Sequence, residues 1–210
     1  MIEEQIGFVN IIKPTGMTSF DVVQRVKKAL KTKRVGHLGT LDPAASGVLP
    51  IAVGRATKFF DYFLKKDKVY VARVKFGVET DTLDSFGNIT KTIEGEVNEN
   101  ELLGILKNFV GEIGQVPPQY SAVKVNGKRA YELARENANF VIKPRNITIF
   151  SIILQEKCEK NEYLFKVHCS AGTYIRTLFS DIAKAINTVA TTTAIIRTRS
   201  GLFENHTAQC

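Results

Sequence analysis

Residues 36–50, GHLGTLDPAASGVLP, hold three glycines, two prolines and a single carboxylate, Asp42. The stretch follows neither a helical nor a strand period and reads as a shaped loop. Pro43 disfavours helical geometry at the residue before it, which predicts an extended or turn conformation for Asp42 with its carboxylate aimed outward. An Asp-Pro turn former is the plain reading of this pair. His37, Thr40 and the glycines supply a second, because flexible backbone positions let a loop present a reactive group where a substrate can approach closely. Another polar concentration is Ser170–Arg176, SAGTYIR, between a strand and an amphipathic helix. Arg176 falls near that helix's N-terminus, where a cation gains nothing from the helix dipole. Either an anion, phosphate or carboxylate, sits beside it, or it is an ordinary surface arginine. Arg197 and Arg199, before Gly201, form a third basic group.

No familiar cofactor signature accompanies these residues. The three histidines, His37, His168 and His206, are far apart, with no HExxH spacing. The phosphate-cradling GxxxxGK[ST] loop, the GxGxxG fingerprint and GxSxG are all missing, so the expectation is chemistry with no metal and no cofactor. Lys and Arg total 29 against 21 Asp and Glu, a net charge of +8 that suits a polyanionic partner. Arg25, Lys27, Lys28, Lys31, Lys33 and Arg34 cluster with no acid between Val22 and Leu41, which is either a solvated helix face or an anion-facing surface. Cys158, Cys169 and Cys210 match neither a metal knuckle nor a redox pair, and a sparse, odd set suits a reducing compartment. With no leader-like N-terminus and no apolar run of membrane-spanning length, a soluble cytoplasmic protein is expected.

The elements that must position these residues are legible in outline. Residues 6–12 suggest a buried strand and 13–16 a turn. Thr18 then caps a helix, with Asp21 three residues on and Val22, Val23, Val26, Ala29 and Leu30 as its apolar stripe. A loop or short helix is expected around 55–65. Residues 69–78 alternate, with Tyr70, Ala72, Val74, Phe76 and Val78 on one face. Asn98 caps a second helix whose stripe is Leu102, Leu103, Leu106, Phe109 and Val110, stopped by Gly111. Residues 116–119 cannot be a central strand because of their prolines. Ser121–Val125 reads as a strand, followed by a type I′ turn at Asn126-Gly127 and a short helix over Ala130–Glu136. Strands follow from Pro144 to about Leu154 and over Tyr163–Cys169. A third helix has Ile175, Leu178, Ile182, Ala185 and Ile186 as its stripe, and a Thr-rich strand covers 188–196. The fold class is α+β, or mixed α/β, around one sheet. No linker or repeat interrupts the chain, so residues 1–210 are expected to be one catalytic domain, with no room for a separate C-terminal RNA-binding domain.

These segments together resemble the catalytic domain of the TruB family of tRNA pseudouridine synthases and, more distantly, the dyskerin-like enzymes guided by RNA. The resemblance runs from about Phe8 to Phe203. It is carried by GHLGTLDPAASGVLPIAVGRATK, with support from NIIKPTGMTSFDVVQRVKK, KVYVARVKFGVETDTLDSFG, QVPPQYSAVKVNGKRAYELAR, VHCSAGTYIRTL and RTRSG in the right order. It implies a pseudouridine synthase-like domain around a central, mixed but mainly antiparallel sheet. It makes Asp42 the catalytic aspartate, Tyr70 the tyrosine that stacks on the flipped uracil, Arg176 the arginine paired with the catalytic carboxylate, and His37 the loop histidine that enters the RNA. Lys13 and Pro14 match the family's Lys-Pro near the pocket, and Ile195 takes the place of a leucine lining it. The basic segment Arg25–Arg34 would hold phosphates. Two features depart from the family pattern. Asn187–Thr193 replaces a segment with glycine and Ala-His, and Ile196 replaces one arginine of a Leu-Arg-Arg-Thr run; both are expected to alter substrate contacts or local packing.

The implied reaction isomerises a T-loop uridine, position 55 of tRNA, to pseudouridine. The glycosidic bond breaks, the uracil turns and rejoins through carbon, with no redox change and no energy source. Asp42 would either add to the nucleotide or remove a ribose proton to give a glycal; family analogy favours the glycal. The expected partner is the tRNA T-stem-loop, with no membrane and no obligate protein partner. A guide-dependent enzyme or one acting on other RNAs, and a non-catalytic RNA chaperone, are the competing readings.

Overall fold

The computed structural model describes residues 6–136 and 138–208, so Cys210 lies outside the described residues. In chain order the strands are β1 Gly7–Lys13, β2 Val35–His37, β3 Ala45–Val53, β4 Lys68–Phe76, β5 Val78–Thr80, β6 Ile89–Thr92, β7 Gly111–Gln115, β8 Lys124–Val125, β9 Lys128–Arg129, β10 Arg145–Glu159, β11 Glu162–Cys169, β12 Ala190–Ser200 and β13 Phe203–Glu204. The α-helices are α1 Ser19–Ala29, α2 Phe60–Leu64, α3 Glu99–Leu106, α4 Ala130–Arg135 and α5 Ile175–Ala185. The fold is mixed α/β with mainly antiparallel pairing. Among the described residues no helix is long and apolar enough to cross a membrane.

The chain gathers into two compact units, 1–71 with 195–210, and 72–194. In the first, strands run in the order β1-β3-β12-β4, with β2 against β3 and β13 against β12. β1 and β3 are antiparallel, whereas β3 and β12 are parallel, with Ile195 opposite Ala45 and Arg197 opposite Gly47. α1 begins at a reciprocal cap, in which the Thr18 hydroxyl accepts from the Asp21 N–H and the Asp21 carboxylate accepts from the Thr18 N–H. Val22, Val23 and Val26 are buried while Ala29 is exposed, so the apolar stripe stops a turn earlier than its spacing suggests.

The shaped loop is shorter than the sequence suggests. His37 belongs to β2, and Ala45–Pro50 belongs to β3. β3 has strands on both sides and is buried on nearly every residue, which erases the alternation expected of a half-exposed strand. Pro50, unusual inside a sheet, sits between the residues that pair with β12 (45–47) and those that pair with β2 (51–53).

The second unit orders its strands β12-β4-β11-β10-β7. Its core includes Val74, Phe76, Tyr163, Phe165, Leu178, Phe179 and Ile182, with Phe165 and Phe179 rings 4.7 Å apart. Each such ring contributes about 2–3 kcal/mol of burial. α3 starts at Asn98, whose side chain accepts from the Asn100 and Glu101 N–H groups. Leu103 and Val110 of its expected stripe are exposed, as is Ala185 of α5. Gly111, at φ +105, ends the helical stretch and opens β7, which the sequence reads only as a stop. β10 runs past Leu154 to Glu159, and its register shifts hide the strand period there. Only Lys124–Val125 of the expected 121–125 strand pairs as one, because the Ser121 and Val123 carbonyls accept from Tyr131 and Ala130 at the start of α4.

Two glycines separate close approach from open space. At Gly47, φ is +105 and a Cβ would lie 2.3 Å from the Arg197 carbonyl oxygen, whereas one added at Gly104 in α3 meets nothing within 4 Å. Gly47→Ala should therefore lower unfolding free energy by at least about 2 kcal/mol. Gly104→Ala should raise it by about 0.5–1 kcal/mol. Urea unfolding of both variants checks the contrast.

Candidate active site

In the first unit, the backbone carrying Asp42 is fastened on either side of that residue. The Leu38 N–H donates to the Pro50 carbonyl at 2.8 Å. The Gly39 and Thr40 carbonyls accept from Arg197 Nη2 and Nη1 at 3.1 and 3.2 Å. The Ser19 hydroxyl bonds both faces of Leu41, accepting from its N–H at 2.9 Å and donating to its carbonyl at 3.0 Å. The Pro43 carbonyl accepts from the Gly16 N–H at 2.8 Å and from Lys13 Nζ at 3.4 Å. The Asp42 carbonyl accepts from the Ala45 N–H at 3.1 Å, and the Asp42 residue itself is half-buried. The loop is thus a rigid mount for one carboxylate.

Lys13 fastens the same loop from within. Its side chain is fully buried, and Nζ also donates to the carbonyls of Pro14 at 2.9 Å and Met17 at 2.7 Å. An ammonium enclosed in this way holds loop backbone. Burial pulls its pKa down to about 8, and Arg197 pushes the same way, while the charges of Asp42 and Asp21 oppose the fall. His37, in β2, is half-buried; burial first and the Arg197 charge second hold its imidazole below the usual histidine value, so it is neutral at pH 7. Its Nδ1 is buried with no hydrogen-bond partner among the described residues. Tyr70 is buried near the start of β4, and Ile195 is buried opposite Ala45, three residues beyond Asp42.

The second unit holds Arg176, which is not a surface arginine: it is 4% exposed. Its anionic neighbour there is Asp84, with Nη1 3.4 Å from the carboxylate, and it also donates to the carbonyls of Thr82 at 2.7 Å and Tyr120 at 3.1 Å. Asp84 is itself shaped by a tight turn in which Leu83 adopts φ +60 and the carboxylate accepts from the Thr82 hydroxyl and the Phe86 N–H. α5 has no side-chain cap of its own at Tyr174. Gln115 instead brackets that residue, accepting from its N–H at 2.8 Å and donating to its carbonyl at 3.1 Å. Of the basic segment, Arg25, Lys28, Lys31, Lys33 and Arg34 are exposed and Lys27 is half-buried.

Comparison with known proteins decides which family this is. The sequence model described as "TruB family pseudouridylate synthase (N terminal domain)" matches residues 27–175. The chain belongs to the TruB family. The tRNA pseudouridine synthase B of Clostridium kluyveri is 49% identical over 197 residues, covering 94% of this chain and 68% of that protein. The protein of the same name from Clostridium perfringens is 48% identical over 96% of this chain and 69% of its own length. That from Lactococcus lactis is 43% identical over 95% of this chain and 63% of its own length. Among solved structures, a chain of a Cbf5–Nop10–Gar1 complex superposes with a TM-score of 0.75 at 35% identity. That match covers 97% of this chain but 51% of the other, so this chain spans about half of it.

Within this TruB family chain, Ser19 and Asp84 carry no mark in the sequence, and Arg197 stands there only as one of a basic pair with Arg199. Ser19 follows the cap Thr18, and nothing local marks its bond to a residue 22 positions away. Asp84 looks like any acid of an acidic turn segment. Arg197 did leave a signal: it lies two residues beyond Ile195, on the buried side of a Thr/Ile-rich strand, where a charge has no ordinary reason to be. The departure at Ile196 falls on the exposed side, 40% open, so it alters surface and not packing. The threonines of the other departure bond locally, Thr191 to the Val78 carbonyl, Thr192 to that of Leu83 and Thr193 to the Glu162 carboxylate.

Two outcomes follow from the buried cations. A lysine with a folded pKa of about 8 and an unfolded value of 10.5 binds fewer protons folded than unfolded between those values. Folding stability must then rise with pH across that window, by at most about 1.4 kcal/mol per pH unit. Unfolding free energies of wild type minus Lys13→Met should therefore increase from pH 8 to 10. Asp84→Asn removes a buried charge facing Arg176 and should cost about 3 kcal/mol by denaturant unfolding.

Proposed function

We propose that this chain isomerises uridine to pseudouridine in the T-loop of tRNA, at position 55, with Asp42 as the catalytic carboxylate. One observation carries the reading: in a chain about half identical to proteins named tRNA pseudouridine synthase B, the single carboxylate of residues 36–50 stands in a loop whose backbone is bonded from Leu38 to Pro43. The reaction breaks the bond from ribose C1′ to uracil N1 and forms one from C1′ to C5. N1 gains a proton and C5 loses one, so atoms and charge balance without a redox partner. Asp42 acts on the ribose side, either by adding to the nucleotide or by taking a ribose proton to give a glycal.

The other residues divide the remaining work. The target base must leave its stack, at a cost of a few kcal/mol. His37, neutral near pH 7, fills the vacated space without bringing a second charge. Tyr70 stacks on the extruded uracil, worth roughly 1–3 kcal/mol, and Ile195 closes the apolar side. Arg176 pairs with the catalytic carboxylate and favours its ionised form. Lys13 serves by holding the loop. Arg25, Lys27, Lys28, Lys31, Lys33 and Arg34 bind phosphates, positioning the RNA without reading bases, so recognition rests on the folded T-loop's shape. Residues 1–210 act as one catalytic domain, in the cytoplasm, without guide RNA, protein partner or cofactor.

Pure protein incubated with an isolated, unmodified T-stem-loop should convert the T-loop uridine, read by carbodiimide mapping. Asp42→Asn should lower the rate by at least roughly a thousandfold while retaining the wild-type circular dichroism spectrum. Conversion that needs added guide RNA or proteins, or turnover retained by Asp42→Asn, contradicts the reading.

A further inference from the structure

Arg197 is 1% exposed, and its guanidinium meets backbone carbonyls: Nε donates to Val48 at 2.8 Å, Nη1 to Thr40 at 3.2 Å and Nη2 to Gly39 at 3.1 Å. Burying a guanidinium costs several kcal/mol, and neutral carbonyls return less of that than a carboxylate would. An apolar side chain of similar volume would pack this site at lower cost. What Arg adds is a rigid planar fork whose donors leave in fixed directions. The three acceptors lie at the two ends of one segment, residues 39–40 and residue 48, and Asp42 is between them. A single plane therefore fixes both ends of the loop that carries the carboxylate.

The backbone beneath that fork is fixed as well. Arg197 pairs with Gly47 across the parallel β3–β12 ladder, so closely that a Cβ on Gly47 would strike the Arg197 carbonyl. Two residues earlier on the same side of β12, Ile195 faces Ala45. One strand thus carries both the apolar residue assigned to the uracil and the cation assigned to the loop. Through space, the Arg197 charge acts on Lys13 and His37, which flank the same loop.

We propose that Arg197 is a positioning residue for Asp42: by holding the Gly39, Thr40 and Val48 carbonyls, it sets where the carboxylate stands relative to the flipped nucleotide. This rests on the assignment of Asp42 as catalyst. Arg197 touches no reacting atom, so its removal should act on the chemical step and not on RNA affinity.

The test uses Arg197→Lys, which keeps charge but loses the fork, and Arg197→Met, which keeps volume and loses both. Wild type is assayed first on the T-stem-loop. Single-turnover rates at saturating RNA should fall by roughly a hundredfold in both variants, the scale of a misplacement of about 1 Å. RNA dissociation constants should stay within about threefold of wild type. The His37 titration midpoint, followed by NMR, should rise in the Met variant and stay near wild type in the Lys variant. A folded variant with a wild-type single-turnover rate overturns the proposal. So does weakened RNA binding with an unchanged saturated rate, which would make Arg197 an RNA anchor. Failure of both variants to fold would make it a core residue only, and also overturns it. If wild type itself is inactive, the functional reading fails instead, and the backbone amide shifts of residues 39–48 still decide: none moved in folded Arg197→Met rules the clamp out.

Discussion

Two buried cations, Lys13 and Arg197, bind the backbone carbonyls that flank Asp42, and the placement of the candidate carboxylate depends on them. Loop carbonyls turned away from solvent need donors, and regular sheet pairing cannot supply them to residues that curve out of a strand. Side chains that end in several N–H groups can satisfy two or three such carbonyls at once, at the cost of burying their charge. The result is a loop with the backbone definition of a strand, whose one acid is held by its neighbours.

The same device recurs in the second unit. Arg176 gathers the carbonyls of Thr82 and Tyr120 and the carboxylate of Asp84, while Gln115 brackets Tyr174 at the start of α5. Long polar side chains from regular elements thus fix irregular backbone in each unit. This is the pattern expected of a site that must be rigid without being part of a sheet. The exposed basic segment after Asp21 has the opposite character: it leaves its charges in solvent, where they are available to a polyanion.

Periodicity and caps are most legible where one face of an element is buried. The Thr18–Asp21 cap, the Tyr70–Phe76 face and the Asn126-Gly127 turn, with φ of +50 and +88, all stand as the sequence reads them. The pattern is lost where burial is two-sided or pairing is irregular. β3 looks like loop in sequence because nearly all of it is enclosed, glycines hide β7, and bulges hide the end of β10. The site divides in the same way. Asp42 and Arg176 stand out by type and local context, whereas Ser19 and Asp84 look ordinary because their partners are remote in sequence.

By itself, then, the sequence determined the family, the chemistry-bearing residue types and the basic surface, since all of these depend on local composition and ordered motifs. Tertiary structure alone decided that Lys13 is enclosed, that Arg176 faces Asp84, and that Arg197 spans both ends of the Asp42 loop. Apart from the short-range bonds of Lys13 to Pro14 and Met17, those facts depend on contacts between residues about thirty to more than a hundred positions apart, and no local pattern encodes which carbonyl a buried cation will meet.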